Sequence, residues 1–463
     1  MRTRILASIL LAVIALSGCR AADRRGSIAR PMSQASSGPA EPNAAALIEP
    51  TGTITPVDAL ALALMHNPGL KTFAYSLRAA EARVLQAGLR PNPQLEIELE
   101  EFGGSGERSG FDAAETTIQV GQPFELGAKR TKRARVAAVD KELVQWDYES
   151  ARLDLARDVS KAFTAVMAAQ ERLALAERLL KLSRQAQSAV AQRVQAGRDS
   201  PVDEMRANVA LSESRIVRQK AEKALAATRR NLAAMWGSSA PAFAAVSGGW
   251  NEIAPPTPVD VSPEAAADNP DVARWEAEHR SRRAALDLEK AKGMPDVTAA
   301  GGVRRFEQTD DAAFVVGLVV PLPLFNRNQG GVEEAVANLG RVRRQYEASR
   351  IKTLTALAEA TTARDAAHEE VAALTNEVLP GAQQAFDAVQ RGYLEGKFDY
   401  LYVLDTQRTL FETQARYIDA VEAYHKARTD VERLIGGPLN VVDKDLSPTS
   451  VEEPLSQERS NEE

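Results

Sequence analysis

Hydrophobic positions along this chain follow two periods, seven and two, and they do so in the same order twice. Between residues 125 and 196 the period is seven: Val159, Val166, Leu173, Leu180 and Val194 fall on one seam, broken by Gln187. Ala162, Ala169, Ala176, Ser183 and Val190 fall on the neighbouring seam. Large residues on one line and small ones on the next specify closely packed, left-handed coiled helices. At ~1.5 Å per residue this element is roughly 105 Å long, wider than any ordinary globular domain. Ahead of it the period is two. Leu95, Ile97 and Leu99 alternate with Glu96, Glu98 and Glu100, and Ile118 and Val120 alternate with Thr117 and Gln119. These are strands with one apolar and one polar face.

The second half of the chain repeats this order at an offset of about 200 residues, the mark of a duplicated unit. Asn67-Pro68 and Asn269-Pro270 each open a helical stretch. Pro91-Asn92-Pro93 and Met294-Pro295-Asp296 break it before a strand pair, which Pro123 and Pro323 close. A long helix follows, interrupted at Ala196-Gly197 and Glu395-Gly396, and each return helix ends at Trp236-Gly237 or Ile435-Gly436. The first repeat is read over 56–236, with strands near 94–104 and 113–123 and a long hairpin over 125–236. The second is read over 263–436, with strands near 296–306 and 312–322, a more continuous apolar run, and a hairpin over 328–436. Pro380 is expected to kink its helix. A Pro/Gly/Ser-rich linker, 237–262, separates the repeats, and an acidic tail, 437–463, reads as disordered.

The fold class is thus mostly α with a β-barrel part. Strands with one apolar face fit lipid outside and water inside. Four strands cannot close a barrel, and open edges in hydrocarbon would leave backbone groups unpaired at several kcal/mol each. Copies must share one barrel: a homotrimer gives about twelve strands, with the helical hairpins joined into a coiled-coil barrel below it. A lipid-anchored rod of coiled helices without a pore would explain the helices equally well but not the strands.

The N-terminus adds location. Arg2 and Arg4 precede an apolar run from Ile5 to Leu16 and then Ser17-Gly18-Cys19. This is a lipoprotein leader over 1–18, with Cys19 as the lipidated first residue of a flexible Ser/Pro/Ala/Gly-rich tether over 19–55. Cys19 is the only cysteine, so disulfides and cysteine metal cages within one chain are excluded. The formal net charge of -6 provides no basic field for nucleic acid.

Candidate chemistry is sparse. Gly392-Tyr393-Leu394-Glu395-Gly396-Lys397 has the wrong spacing for a phosphate loop, and His368-Glu369 lacks the second histidine of a zinc protease. His66, His279, His368 and His425 are scattered without ligand spacing. No nucleophile and base are paired, so no enzyme is expected, and no cofactor beyond the covalent lipid on Cys19. The hairpin turns hold more. Gly197-Arg198-Asp199-Ser200-Pro201 stops one helix with glycine and starts the next with a cap and a proline. Gly396-Lys397-Phe398-Asp399-Tyr400 is followed by Tyr402 and Asp405, one helical turn apart. Three copies of Asp405 would form an acidic, cation-favouring ring; alternatively, Asp405 simply offsets the helix dipole.

From about Pro56 to Gly437 these residues resemble the TolC-like outer-membrane factors. Pro123-Phe124-Glu125-Leu126-Gly127-Ala128-Lys129-Arg130 and Pro321-Leu322-Pro323-Leu324-Phe325-Asn326-Arg327-Asn328-Gln329-Gly330 look like the post-strand segments of the CzcC-like branch, which serves heavy-metal efflux. Gly197 through Val202 looks like that branch's first tip turn. The resemblance implies a trimeric passive exit duct in the outer membrane that meets a periplasmic adaptor and an inner-membrane RND pump. It also implies adaptor docking at the tips (Gly197, Arg198, Gly396, Lys397) and a periplasmic gate (Asp405, Tyr402, Asp399, Asp203, Tyr393). Where the family can carry two aspartates and a latch arginine after the glycine, this chain has Tyr402, Asp405 and Phe398. Export of organic drugs or proteins remains an alternative cargo.

Overall fold

A computed structural model describes residues 48–259, 262 and 269–436; Cys19, its leader, most of the tether and the acidic tail lie outside the described residues. The chain runs β1 (Gly52–Ile54), α1 (Pro56–His66), α2 (Pro68–Gly88), β2 (Gln94–Glu100), β3 (Glu115–Phe124), α3 (Lys129–Gln195) and α4 (Pro201–Ala234). Then come β4 (Phe243–Val246), α5 (Pro270–Lys292), β5 (Val297–Phe306), β6 (Asp311–Val319), α6 (Gln329–Ala373), α7 (Leu379–Leu394) and α8 (Tyr400–Ile435).

The duplication reaches single hydrogen bonds. Asn67 caps α2 by accepting from Leu70 N, and its amide donates to the Met235 carbonyl (2.8 Å) at the end of α4. Asn269 caps α5 by accepting from Asp271 N and donates to the Leu434 carbonyl (2.8 Å) at the end of α8. In each half one asparagine thus starts the entry helix and pins the last turn of the return helix, satisfying orphan groups at two helix ends.

Strands β2, β3, β5 and β6 form one antiparallel sheet in that order, with β3 paired to β5 across the two halves. The 67-residue α3 packs against α2, α4, α5 and α8, and α6 packs against α5 and α8. Both seams on α3 are largely buried: Val159, Val166 and Leu180 on the large one and Ala169, Ala176, Ser183 and Val190 on the small one are covered, while Leu173, Val194 and Ala162 are half covered. Small side chains let neighbouring helices approach closely, and the Gln407 amide reaches Ser183 Oγ across the gap (3.5 Å).

The sequence reading needs three corrections. The segments assigned to tether and linker hold β1 and β4, which pair in parallel; Ile54, Phe243 and Val246 are buried, and the Gln170 side chain of α3 bonds both backbone groups of Val246. Strands of three and four residues are too short to show a period. The strand read to residue 104 ends at Glu100, before a loop in which Phe102 stacks on Phe111 (5.6 Å). The strand read to residue 322 ends at Val319, because Pro321 and Pro323 cannot donate to the ladder. The kink expected at Pro380 takes the form of a π-helical turn, Leu374–Val378, which accommodates the missing donor one residue into α7.

Candidate functional site

Two regions carry the candidate chemistry: the sheet and the hairpin tips. In the sheet, aligned rows run across all four strands. Ile97 opposes Ile118, Ile118 opposes Val303 and Val303 opposes Phe314; Leu95, Val120, Gly301 and Val316 form the next row. This face is mainly apolar, with Thr116 and Arg305 at its loop end and Gln122 towards the helices, and Phe314 and Val316 are 90% and 89% exposed in a single chain. The opposite face holds Glu96, Glu98, Glu100, Thr117, Gln119 and Arg304 in the alternate register. An uncovered apolar face backed by a charged one suits a wall between lipid and water.

The sheet joins the helices through two left-handed turns. Gly127 (φ +67°) and Ala128 (φ +56°) lead into α3; a Cβ on Gly127 would lie 2.7 Å from Met294 Sδ. Lys129 Nζ then donates to the Met294 carbonyl (2.6 Å) and to Asp296 Oδ1 (2.8 Å), tying the start of α3 to the start of β5. Asn328 (φ +60°) opens α6 and donates to Glu289 O (2.8 Å) and Oε2 (2.7 Å).

At the far end, α3 and α7 stop in matching turns. Gly197 and Gly396 adopt φ of +70° and +77°, and the next backbone N–H bonds back in each case: Arg198 to the Arg193 carbonyl (2.9 Å) and Lys397 to the Gly392 carbonyl (2.8 Å). Arg198, Gly197, Gly396 and Lys397 are exposed, with Lys397 paired to Glu395 (2.6 Å). Beneath the turns Val190, Ala207, Phe386, Tyr393, Tyr400, Val403 and Leu410 form a small core.

On that core sits a lock. The buried Tyr393 hydroxyl donates to Asp199 Oδ2, Arg193 Nε donates to both Asp199 oxygens (3.1 and 3.0 Å), and the Arg193 guanidinium lies 4.6 Å from the Tyr393 ring centroid. Burial pushes the Asp199 carboxyl up, but bonds from Arg193 and Tyr393 outweigh it and hold its pKa below the ordinary value. Burial, with help from Asp199, raises the Tyr393 phenol. Burial, with Asp203 nearby, raises the Tyr400 phenol to about 12.

The family profile described as Outer membrane efflux protein matches residues 59–238 and 261–437, one stretch per repeat. The chain belongs to the outer membrane efflux protein family. Among relatives of this efflux protein is the cobalt-zinc-cadmium resistance protein CzcC of Cupriavidus metallidurans, 33% identical over 84% of this chain and 91% of that protein. The nickel-cobalt-cadmium resistance protein NccC of Alcaligenes xylosoxydans xylosoxydans is 28% identical over 71% and 74%. A crystal structure of CusC superposes with a TM-score of 0.72 at 17% identity, covering 88% of this chain and 99% of that one, and so shares the fold.

Within this efflux-protein fold the sequence-named gate residues divide. Tyr393 is in the lock with Asp199; Asp203, named beside it as a gate residue from the resemblance, stands in the first turn of α4 and pairs with Arg206 (3.0 Å). Phe398, in the place of the latch arginine, lies against Gly392, where a Cβ would approach its ring to 2.3 Å, and its ring is 5.9 Å from that of Tyr402. Tyr402, Asp405 and Asp399 are exposed, and Asp399 caps α8 without a side-chain bond. Sequence reasoning missed Arg193 and Asp199 as lock members; the aspartate lies 194 residues from its tyrosine. Among the described residues no group of three or more His, Cys, Asp or Glu side chains is placed to hold a metal ion. Half-buried His425 bonds the Trp250 carbonyl (2.9 Å), and its pKa is lowered by partial burial.

Proposed function

We propose that this efflux protein is the outer-membrane exit duct of a tripartite system for heavy-metal cations. Three copies share a barrel of about twelve strands, tethered by lipid on Cys19, and three pairs of hairpins build the tube beneath. The observation that carries this reading is the four-stranded sheet: its outer face is mainly apolar and uncovered, and the outer edges of β2 and β6 have no partner strand among the described residues. In hydrocarbon those edges demand partners, and a second and third copy supply them. The tips, with Gly197, Arg198, Gly396 and Lys397 at their ends, meet a periplasmic adaptor linked to an inner-membrane RND pump that supplies the energy. Asp405 and Tyr402, exposed on one side of α8, and Asp399 face the tip opening, where Asp405 favours cations. The Tyr393–Asp199–Arg193 lock holds the resting tip together, and Asp203 braces Arg206 beside it. Absence of a tight ligand cluster suits conduction, since a duct must release what enters. Similarity to the two metal-resistance relatives favours cobalt, zinc, cadmium or nickel over organic cargo.

The test is metal tolerance of a strain deleted for this chain, ion by ion. Tolerance to divalent metals falls and is restored by the wild type, less so by Asp405→Asn. A strain that loses tolerance to organic compounds alone would refute the proposed cargo.

A further inference from the structure

On the inward face of the sheet the strands present Glu96, Glu98, Glu100, Glu115 and Asp311, and among them a single basic residue, Arg304. Its guanidinium is held by two neighbouring strands. Nε donates to Thr117 Oγ1 (2.8 Å), Nη1 to Glu115 Oε2 (2.9 Å), and Nη2 lies 3.0 Å from Glu100 Oε2. Thr117 is buried and the Arg304 side chain as a whole is 30% exposed, so three bonds hold the charge in place rather than leaving it to swing in the lumen. The remaining carboxylates are differently placed. Glu96 accepts from the Gln119 amide (2.8 Å), a neutral partner, and Glu98 has no hydrogen bond or ion pair among the described residues.

We infer that Arg304 is a specificity-determining residue of the duct: it offsets the carboxylates at the outer end of the barrel and sets how strongly the lumen prefers cations. The inference rests on the exit-duct reading, which places this face in water. A lumen lined by carboxylates alone would concentrate divalent cations and slow their escape. One fixed guanidinium per chain weakens that field without forming a barrier.

The experiment is the reversal potential of purified trimers in planar bilayers under a potassium chloride gradient. Arg304→Gln raises the potassium-to-chloride permeability ratio roughly twofold or more, and Arg304→Lys, which keeps the charge, stays near the wild type. Glu98→Gln moves the ratio the opposite way and carries the test alone should Arg304→Gln fail to assemble. Conducting variants with unchanged ratios would overturn the inference while leaving the duct intact. A wild type that forms no pore would overturn the duct reading itself.

Discussion

Tyr393 joins both hairpins of one chain: its hydroxyl reaches Asp199 in the first turn, and its ring supports Arg193. A hydrogen bond to a charged group contributes about 1.5–3 kcal/mol, and Tyr393→Phe removes it while keeping the ring and the cation contact. The expected outcome is a tip that opens more readily, read as higher resting conductance; conductance equal to the wild type would rule out the lock. The pH dependence follows from Asp199, whose folded-state pKa is depressed. Its stabilisation is present above the ordinary carboxylate value and is lost as pH falls through the depressed one, so resting conductance stays flat around neutrality and rises only in acid. Tyr393 was named as a tip residue through the family resemblance. Its partners were not, since no spacing along a chain announces a contact made between two hairpins.

At the scale of elements, the strands decide between a membrane wall and a soluble rod. Val316 in β6 stands on the outward face, 89% exposed. On a soluble rod Val316→Arg would be nearly neutral; at the lipid face it costs about 2–4 kcal/mol and should abolish heat-resistant trimers on a detergent gel. Trimers of undiminished yield would count against a lipid-facing sheet. The first hairpin could be read from its alternation of leucine and isoleucine with glutamate. The second could not be read as cleanly, because its inward positions Ala313, Val315 and Gly317 are small or apolar and mask the period of two. Long helices were legible from heptads and glycine stops. Which positions of each seam are covered depends on which helices pack against α3, and only the tertiary arrangement supplies that.

For the whole molecule, the duplication explains most of the architecture. Two asparagine caps, two left-handed entries to long helices and two glycine turns repeat within one chain, so the proposed threefold assembly would carry a pseudo-sixfold wall. The halves differ in the second hairpin, at the π turn before Pro380 and, close to the tip, at Phe398 against Gly392. The claim that chains complete one another's barrel is tested most directly by the mass of the protein particle purified from outer membranes in detergent, measured by light scattering with the detergent contribution subtracted. The account predicts three times the mass of one chain. A particle of one chain that stays in solution without detergent would contradict it.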